Sequence, residues 1–319
     1  MEPKVRDWRK VVEETRGLPA LDSVVVHVMN SVVEETSARD LAQIIEKDSS
    51  VTARILKVIN SAYYGLSGHV STVSHAVPLL GVQVVKNIVL TFSVRDVFSQ
   101  SRKQGAEFQK LWEHSFSTAV ASRLLAGAAN YPDLEGALVA GLLHDIGVLV
   151  FMKNDPEEWR EALAESQQGG ASLCDVEARR FGITHAELGA LLAEKWLLPE
   201  ILVTPIRHHH DGTPSEMLSR RARQLTDVVY VADLMCRVFS VPVSHEQILE
   251  FRSEARNRFH LDDDTLLNIL KAVTLELEST AESFMVAPPR SYIEILEQAH
   301  LELGRLNLTY LIANDLSKK

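Results

Sequence analysis

Residues 141–151 read GLLHDIGVLVF, Gly141 to Phe151, and set a histidine beside an aspartate inside a run that is otherwise apolar. An ionised carboxylate in apolar surroundings is costly, or shifts its pKa until it is neutral, unless a cation meets it. No Lys or Arg lies between Gly141 and Met152. The cation therefore comes from elsewhere in the chain, or it is a metal.

Outward from this stretch, nearly every segment repeats apolar residues at the i, i+3, i+4 spacing of an amphipathic helix, and β-branched alternation between turn signals is scarce. The spacing predicts an all-α fold. A chain of 319 residues with 46% hydrophobic and 24% charged residues has the composition of a globular protein with a sizeable core. Cys174 and Cys236 stand far apart without CxxC or His-Cys spacing, which argues against a disulfide framework or zinc finger and for a reducing, cytoplasmic setting. The opening MEPKVRDWRKVVEE lacks the apolar core of a signal peptide, so no export is expected. Gln83, Lys86 and Asn87 interrupt LLGVQVVKNIVLTF, and no membrane span is expected. A net charge of -10 argues against nucleic-acid binding, and the group Arg220, Arg221, Arg223 reads as a solvated helix face.

Ser37 with Asp40, and Ser244 with Gln247, resemble helix N-terminal capping boxes, while Gly65, Gly68 and Gly81 with Pro78 mark turns between short helices. Three parts are expected: an N-terminal bundle of short helices over 16–97, longer helices over 98–240, and an extension over 241–319 in which Pro288-Pro289 starts a last helix. In that helix Tyr292, Leu296, Ala299, Leu303, Leu306, Tyr310 and Ala313 alternate steps of four and three. This is the seam of a coiled coil, open either to self-association into a homo-oligomer or to docking on the protein's own core.

The chemistry-bearing residues gather between positions 114 and 233. His114 lies in LWEHSFSTAVASRLLA, on a face with Leu111, Thr118 and Ala121; His185 follows a Gly-Ile-Thr turn; His208, His209 and His210 are consecutive; Asp233 interrupts VVYVADLMC. Each alone has an ordinary reading: a core histidine with satisfied hydrogen bonds, a surface tract, an aspartate paired with Arg237 one turn on. Their joint order, His…His-Asp…His…His-His…Asp, is more specific than any member.

That order resembles the HD superfamily of metal-dependent phosphohydrolases, and in particular its HD-GYP branch. The resemblance implies an HD-like helical core in which His114, His144, Asp145 and Asp233 hold one metal, while Asp145, His185, His209 and His210 hold a second. Asp145 would bridge the two and be the residue central to catalysis; His208 is left over. A carboxylate can bridge two cations, imidazoles suit Fe, Mn, Zn or Ni, and water between two divalent transition metals becomes hydroxide near neutral pH. The chain departs from HD-GYP enzymes at three places. Val148 replaces a lysine that helps to hold substrate phosphate, Lys110 replaces a glutamate one turn before the first histidine, and no GYP segment follows His210.

The first third carries a longer resemblance. LPALDSVVVHVMN, DLAQIIEKDSSVTARILKVINSAYYG and HAVPLLGVQVVKNIVL are similar to the HDOD family of bacterial signalling proteins, over Leu18 to about Asp233. Its most specific signature is Asn60-Ser61-Ala62 followed by Tyr64-Gly65. The resemblance implies a regulatory module that relays a signal through contacts with signalling proteins, with Asn60, Ser61 and Tyr64 on the partner-facing part and a metal or nucleotide as input. Two readings follow: a signalling module with a retained metal site and little or no hydrolysis, or a working phosphodiesterase on a nucleotide such as a cyclic dinucleotide. In the plainest reading the histidines only hydrogen-bond one another.

Overall fold

The structure is a computed structural model that describes residues 7–14, 28, 37–60, 68–101, 106–211, 219–238 and 245–284. Among them every regular element is a helix, fifteen in all, as the spacing of apolar residues predicts.

A first group comprises α2 (Ala38–Glu46), α3 (Ser49–Ile59), α4 (Val73–Leu80) and the long α5 (Val82–Ser101). The Ser37 hydroxyl accepts from the Asp40 amide at 3.1 Å and opens α2, so this cap is where the sequence puts it; Ser244, of the second, lies outside the described residues. Pro78 corrects the sequence reading: it lies inside α4 rather than at a turn. Gly81 makes the turn, with φ at 88°, and α5 leaves at 118° to α4. Only glycine takes that backbone conformation without strain.

The second group contains α6 (Ala106–Ala128), α7 (Leu134–Leu143), α8 (Ile146–Asn154), α9 (Pro156–Gln167), α10 (Leu173–Phe181), α11 (His185–Lys195), α12 (Glu200–His208) and α13 (Arg220–Val238). α14 (His245–Phe259) packs on α13, and α15 (Asp263–Phe284) lies along α6. α5 touches both α6 and α7 and runs without a break through residue 98, so one helix joins the two groups. The C-terminal seam beyond Pro289 lies outside the described residues.

The quoted stretch is the centre of this second group. All of α7 from Gly136 onward is buried, as is α8 to Met152. Together Leu134–Asn154 are long and apolar enough to cross a membrane, but most of their length is buried among neighbouring helices. Such close packing needs small residues at the crossings. A Cβ on Gly141 would sit 2.7 Å from the Thr118 carbonyl oxygen, and one on Gly147 would sit 2.0 Å from the His185 carbonyl oxygen and 2.5 Å from the Gly189 nitrogen.

α1 (Trp8–Glu14), outside the expected N-terminal bundle, packs on α11. Trp8 meets Phe151 of α8 and Phe181 of α10 edge-on, at 5.1 and 5.9 Å between centroids, and its Nε1–H donates to the Phe181 carbonyl at 2.8 Å. Arg180 ties α10 to α9 through Glu158, Glu161 and Glu165.

Because the neighbour of Gly147 is backbone, Gly147→Ala should lower stability by about 1–3 kcal/mol, the usual cost of overpacking a close-packed core. Gly68→Ala, with nothing within 4 Å of its Cβ, should change the urea midpoint little. Equal midpoints for the two variants would contradict the close approach of α8 and α11.

Candidate metal centre

His144 and Asp145 occupy the break between α7 and α8. Asp145 stands at the N-cap of α8, where an aspartate usually accepts a bond from the first turn, yet it makes no such cap bond. Its oxygens turn instead to imidazoles. Oδ1 lies 3.2 Å from His185 Nε2 and 3.4 Å from His209 Nε2, while Oδ2 lies 3.4 Å from His144 Nε2 and 3.5 Å from His114 Nε2. One carboxylate thus faces two groups of ligands.

The first group is His114 of α6, His144 and Asp233 of α13. His114 Nε2 is 3.3 Å from His144 Nε2 and 3.2 Å from Asp233 Oδ1. The second is Asp145, His185, His209 and His210. Here His185 Nε2 lies 3.3 Å from His209 Nε2 and 2.8 Å from His210 Nε2. All seven residues that the HD-GYP resemblance singles out converge here. His208 turns away, its Nδ1 2.5 Å from Asp211 Oδ2.

The far sides of three rings fix their orientation. His144 Nδ1–H donates to the Gly141 carbonyl at 2.7 Å, and His209 Nδ1–H to the Ile206 carbonyl at 2.8 Å. A carbonyl can only accept, so in the neutral rings Nε2 carries the lone pair, aimed inward. His185 Nδ1–H donates to the fully buried Glu177, whose Oε2 also accepts from the His185 backbone N–H at 2.9 Å. Lone pairs converging at such distances repel unless a proton or a cation lies between them. The donor set therefore fits transition metals, with carbonyls and a carboxylate behind the imidazoles as metal-binding histidines require.

Charge is compensated inside the cluster. Burial would raise the Asp145 pKa, but His144, aided by His185 and His209, outweighs it and holds the carboxyl well below its ordinary value. Burial likewise opposes ionisation of Asp233, and Arg237 and His114 overcome it. Despite burial, His144 is raised by Asp145, and His185 well raised by Glu177 and Asp145. Burial lowers His209 and His210, so both are neutral, as ligands must be. The Arg237 pairing that gives Asp233 its ordinary reading is present, through Oδ2, while Oδ1 still faces the histidines.

A cavity of about 410 Å³ opens onto the centre, lined by His114, Asp145, His185, His210 and Asp233 together with Val148, Cys174, Tyr230, Arg237 and Glu250, among others. Val148 stands on its wall where HD-GYP enzymes carry lysine, and Lys110 is exposed on α6, away from it. Cys174 joins Glu177 and His185 in a third cluster, but burial pushes its thiol up to about 11 and Glu177 is already bonded to His185. Asn60 belongs to the N-terminal bundle. Its amide bonds the Leu56 and Val70 carbonyls at 2.7 and 2.8 Å and accepts from the Val70 N–H at 2.7 Å. It ties a helix end within the chain; Ser61 and Tyr64 lie outside the described residues.

Residues 18–212 match the HDOD domain family. That is more than half of the chain, and the protein belongs to this family. The match ends before Asp233, which the sequence reading had included. A protein of Treponema pallidum is 24% identical over 271 residues, 82% of this chain and 51% of its own length. YuxH of Bacillus subtilis is 26% identical over 140 residues, 44% of this chain and 33% of its own. The chain thus spans about half the length of these curated relatives, or less. Among solved structures, an HDOD domain protein from Geobacter sulfurreducens superposes with a TM-score of 0.61 at 23% identity, over 91% of this chain and 96% of that one. A candidate phosphohydrolase from Shewanella amazonensis gives 0.66 at 21%, over 87% and 96%. These likenesses establish the fold.

The histidine shifts set a pH optimum for the stability of metal-free protein. His209 and His210 bind fewer protons folded than unfolded, so their contribution is lost as pH falls below the unfolded value near 6.5. His144 and His185 bind more protons folded, so theirs is lost as pH rises from 6.5 through their folded values. Urea midpoints in chelator should peak near pH 6.5, and His210→Asn should flatten the acid side; a midpoint climbing steadily to pH 8 would contradict these shifts.

Proposed function

We propose that this HDOD protein is a bacterial, cytoplasmic signalling module that retains an HD-type site for two divalent transition metals and hydrolyses substrate slowly or not at all. The observation that carries the reading is the convergence of five imidazoles and two aspartates in one cluster, of which His114, His185, His210, Asp145 and Asp233 line a cavity that also has Val148, at the phosphate-gripping position, on its wall. His114, His144, Asp145 and Asp233 would hold one ion, and Asp145, His185, His209 and His210 the other. Such a pair would act as a Lewis acid that makes water nucleophilic near neutral pH. The chain's own part would be to present Asp145 to both groups of histidines, to orient His185 through Glu177, and to keep His209 and His210 neutral. An isopropyl group at residue 148 donates neither hydrogen bond nor charge to a phosphate, which removes stabilisation from a transition state that gains charge there.

The signalling half of the reading rests on family membership. The N-terminal bundle carries none of the candidate metal-binding residues, and Asn60, the first residue of the HDOD signature, is held by the Leu56 and Val70 backbone, so this bundle would face signalling proteins. The retained ligand set and the open cavity favour the second reading, a phosphodiesterase acting on a nucleotide.

Protein purified without oxygen or chelator should contain close to two transition-metal ions per chain, with Fe or Mn the best fit to the mixed imidazole–carboxylate set. Asp145→Asn should lose most of that metal while far-ultraviolet circular dichroism stays helical. Lack of bound metal after reconstitution would refute the site, and rapid wild-type hydrolysis of a cyclic dinucleotide would decide for the phosphodiesterase. Val148→Lys should raise turnover if only the grip is missing.

Glu177→Gln should weaken metal binding by about 10- to 100-fold in a chelator competition, the usual cost of removing a carboxylate behind a ligating histidine. Unchanged affinity would mean that Glu177 is merely structural.

A further inference from the structure

The cavity holds one lysine or arginine among its lining residues, and it is not at the position that HD-GYP enzymes use. Arg237 lies one turn after Asp233 on α13. Its Nη2 is committed, to Asp233 Oδ2 and, at 3.4 Å, towards His210 Nδ1. Among the described residues no partner is present for its Nε or Nη1, and the side chain is 40% exposed. The guanidinium therefore offers planar donors beside the candidate metal ligands, in a cavity that apolar Val148 and Leu173 also line.

Resting on the metal-site reading, we propose that Arg237 is the anion grip of this cavity and binds a phosphoryl group of the ligand, taking from α13 the part that residue 148 on α8 cannot play. Guanidinium forks suit phosphate oxygens, and a site with part of its charge already spent on Asp233 keeps the grip local to one phosphate. Glu250 lines the same cavity and acts on Arg237 by its charge. A ligand with a single bridging or terminal phosphoryl group fits this balance better than a polyphosphate chain, whose outer charges would meet the carboxylate.

Calorimetric titration of Mn-loaded protein with inorganic phosphate tests the assignment, with metal content measured on the same samples. Wild type should bind phosphate. Arg237→Met should keep its metal and weaken phosphate binding by at least about tenfold, and Arg237→Lys should lose less. Adding Val148→Lys to Arg237→Met should recover part of the loss, because an ammonium then enters the same cavity from α8. Wild-type phosphate affinity in metal-replete Arg237→Met would overturn the proposal. So would loss of metal from Arg237→Met, which would make Arg237 a positioning residue for Asp233. Wild type that takes up no metal would instead refute the metal-site reading, and the metal analysis separates the two failures.

Discussion

A carboxylate held between two buried helices needs positive charge, and the second helical group is arranged around that need. Asp145 makes no cap bond to its own helix, and no lysine or arginine pairs with it among the described residues. Its partners are imidazoles, which carry a proton or give it up to a metal. In the metal-free chain, the raised pKa values of His144 and His185 favour protons on these rings beside Asp145, and a metal bound there would displace them. The question raised by His144-Asp145 thus has two answers from the same side chains, selected by whether metal is present.

The backbone makes this possible. Gly141 lets α7 lie against the Thr118 carbonyl of α6, and Gly147 lets α8 lie against the start of α11, where His185 is the first residue. The capping box of Thr184 and Glu187 fixes that start, and Glu177 bonds both the His185 backbone and its ring. Each ligand sits at a helix end or faces one, so the cage is assembled from junctions rather than from a flexible loop. Movement of α8 against α11 would separate Asp145 from His185 directly.

Much of this was legible in the sequence, for reasons that differ by residue. The helical period pointed to the fold class, and the order of His and Asp residues, through its resemblance to HD-GYP enzymes, singled out the seven residues that the fold gathers in one cluster. Glu177 was missed. It stands in DVEARRFGITH among other charges and looks like part of a solvated face. Only the Gly182 turn, which folds His185 back over α10, buries it; a Ser-x-x-Asp box at 172, a left-handed glycine and a Thr-x-x-Glu box at 184 in succession could have signalled that tight corner. Pro78 was read as a turn because proline ends helices, but a helix of eight residues accommodates it, and Gly81 supplies the bend. Arg237 was visible only as a partner for Asp233; its exposure to the cavity depends on where α13 lies against α12, which periodicity does not encode.

The family match stops at residue 212, whereas Asp233 and Arg237 lie on α13 and Trp8 lies on α1. The cage is therefore built across a boundary that the family definition does not cross. Substituting Asp233 would open the first ligand group while leaving every matched residue as it is. Family membership and the completeness of the His/Asp cluster therefore rest on different residues, and a change at one position of α13 would alter the second without touching the first.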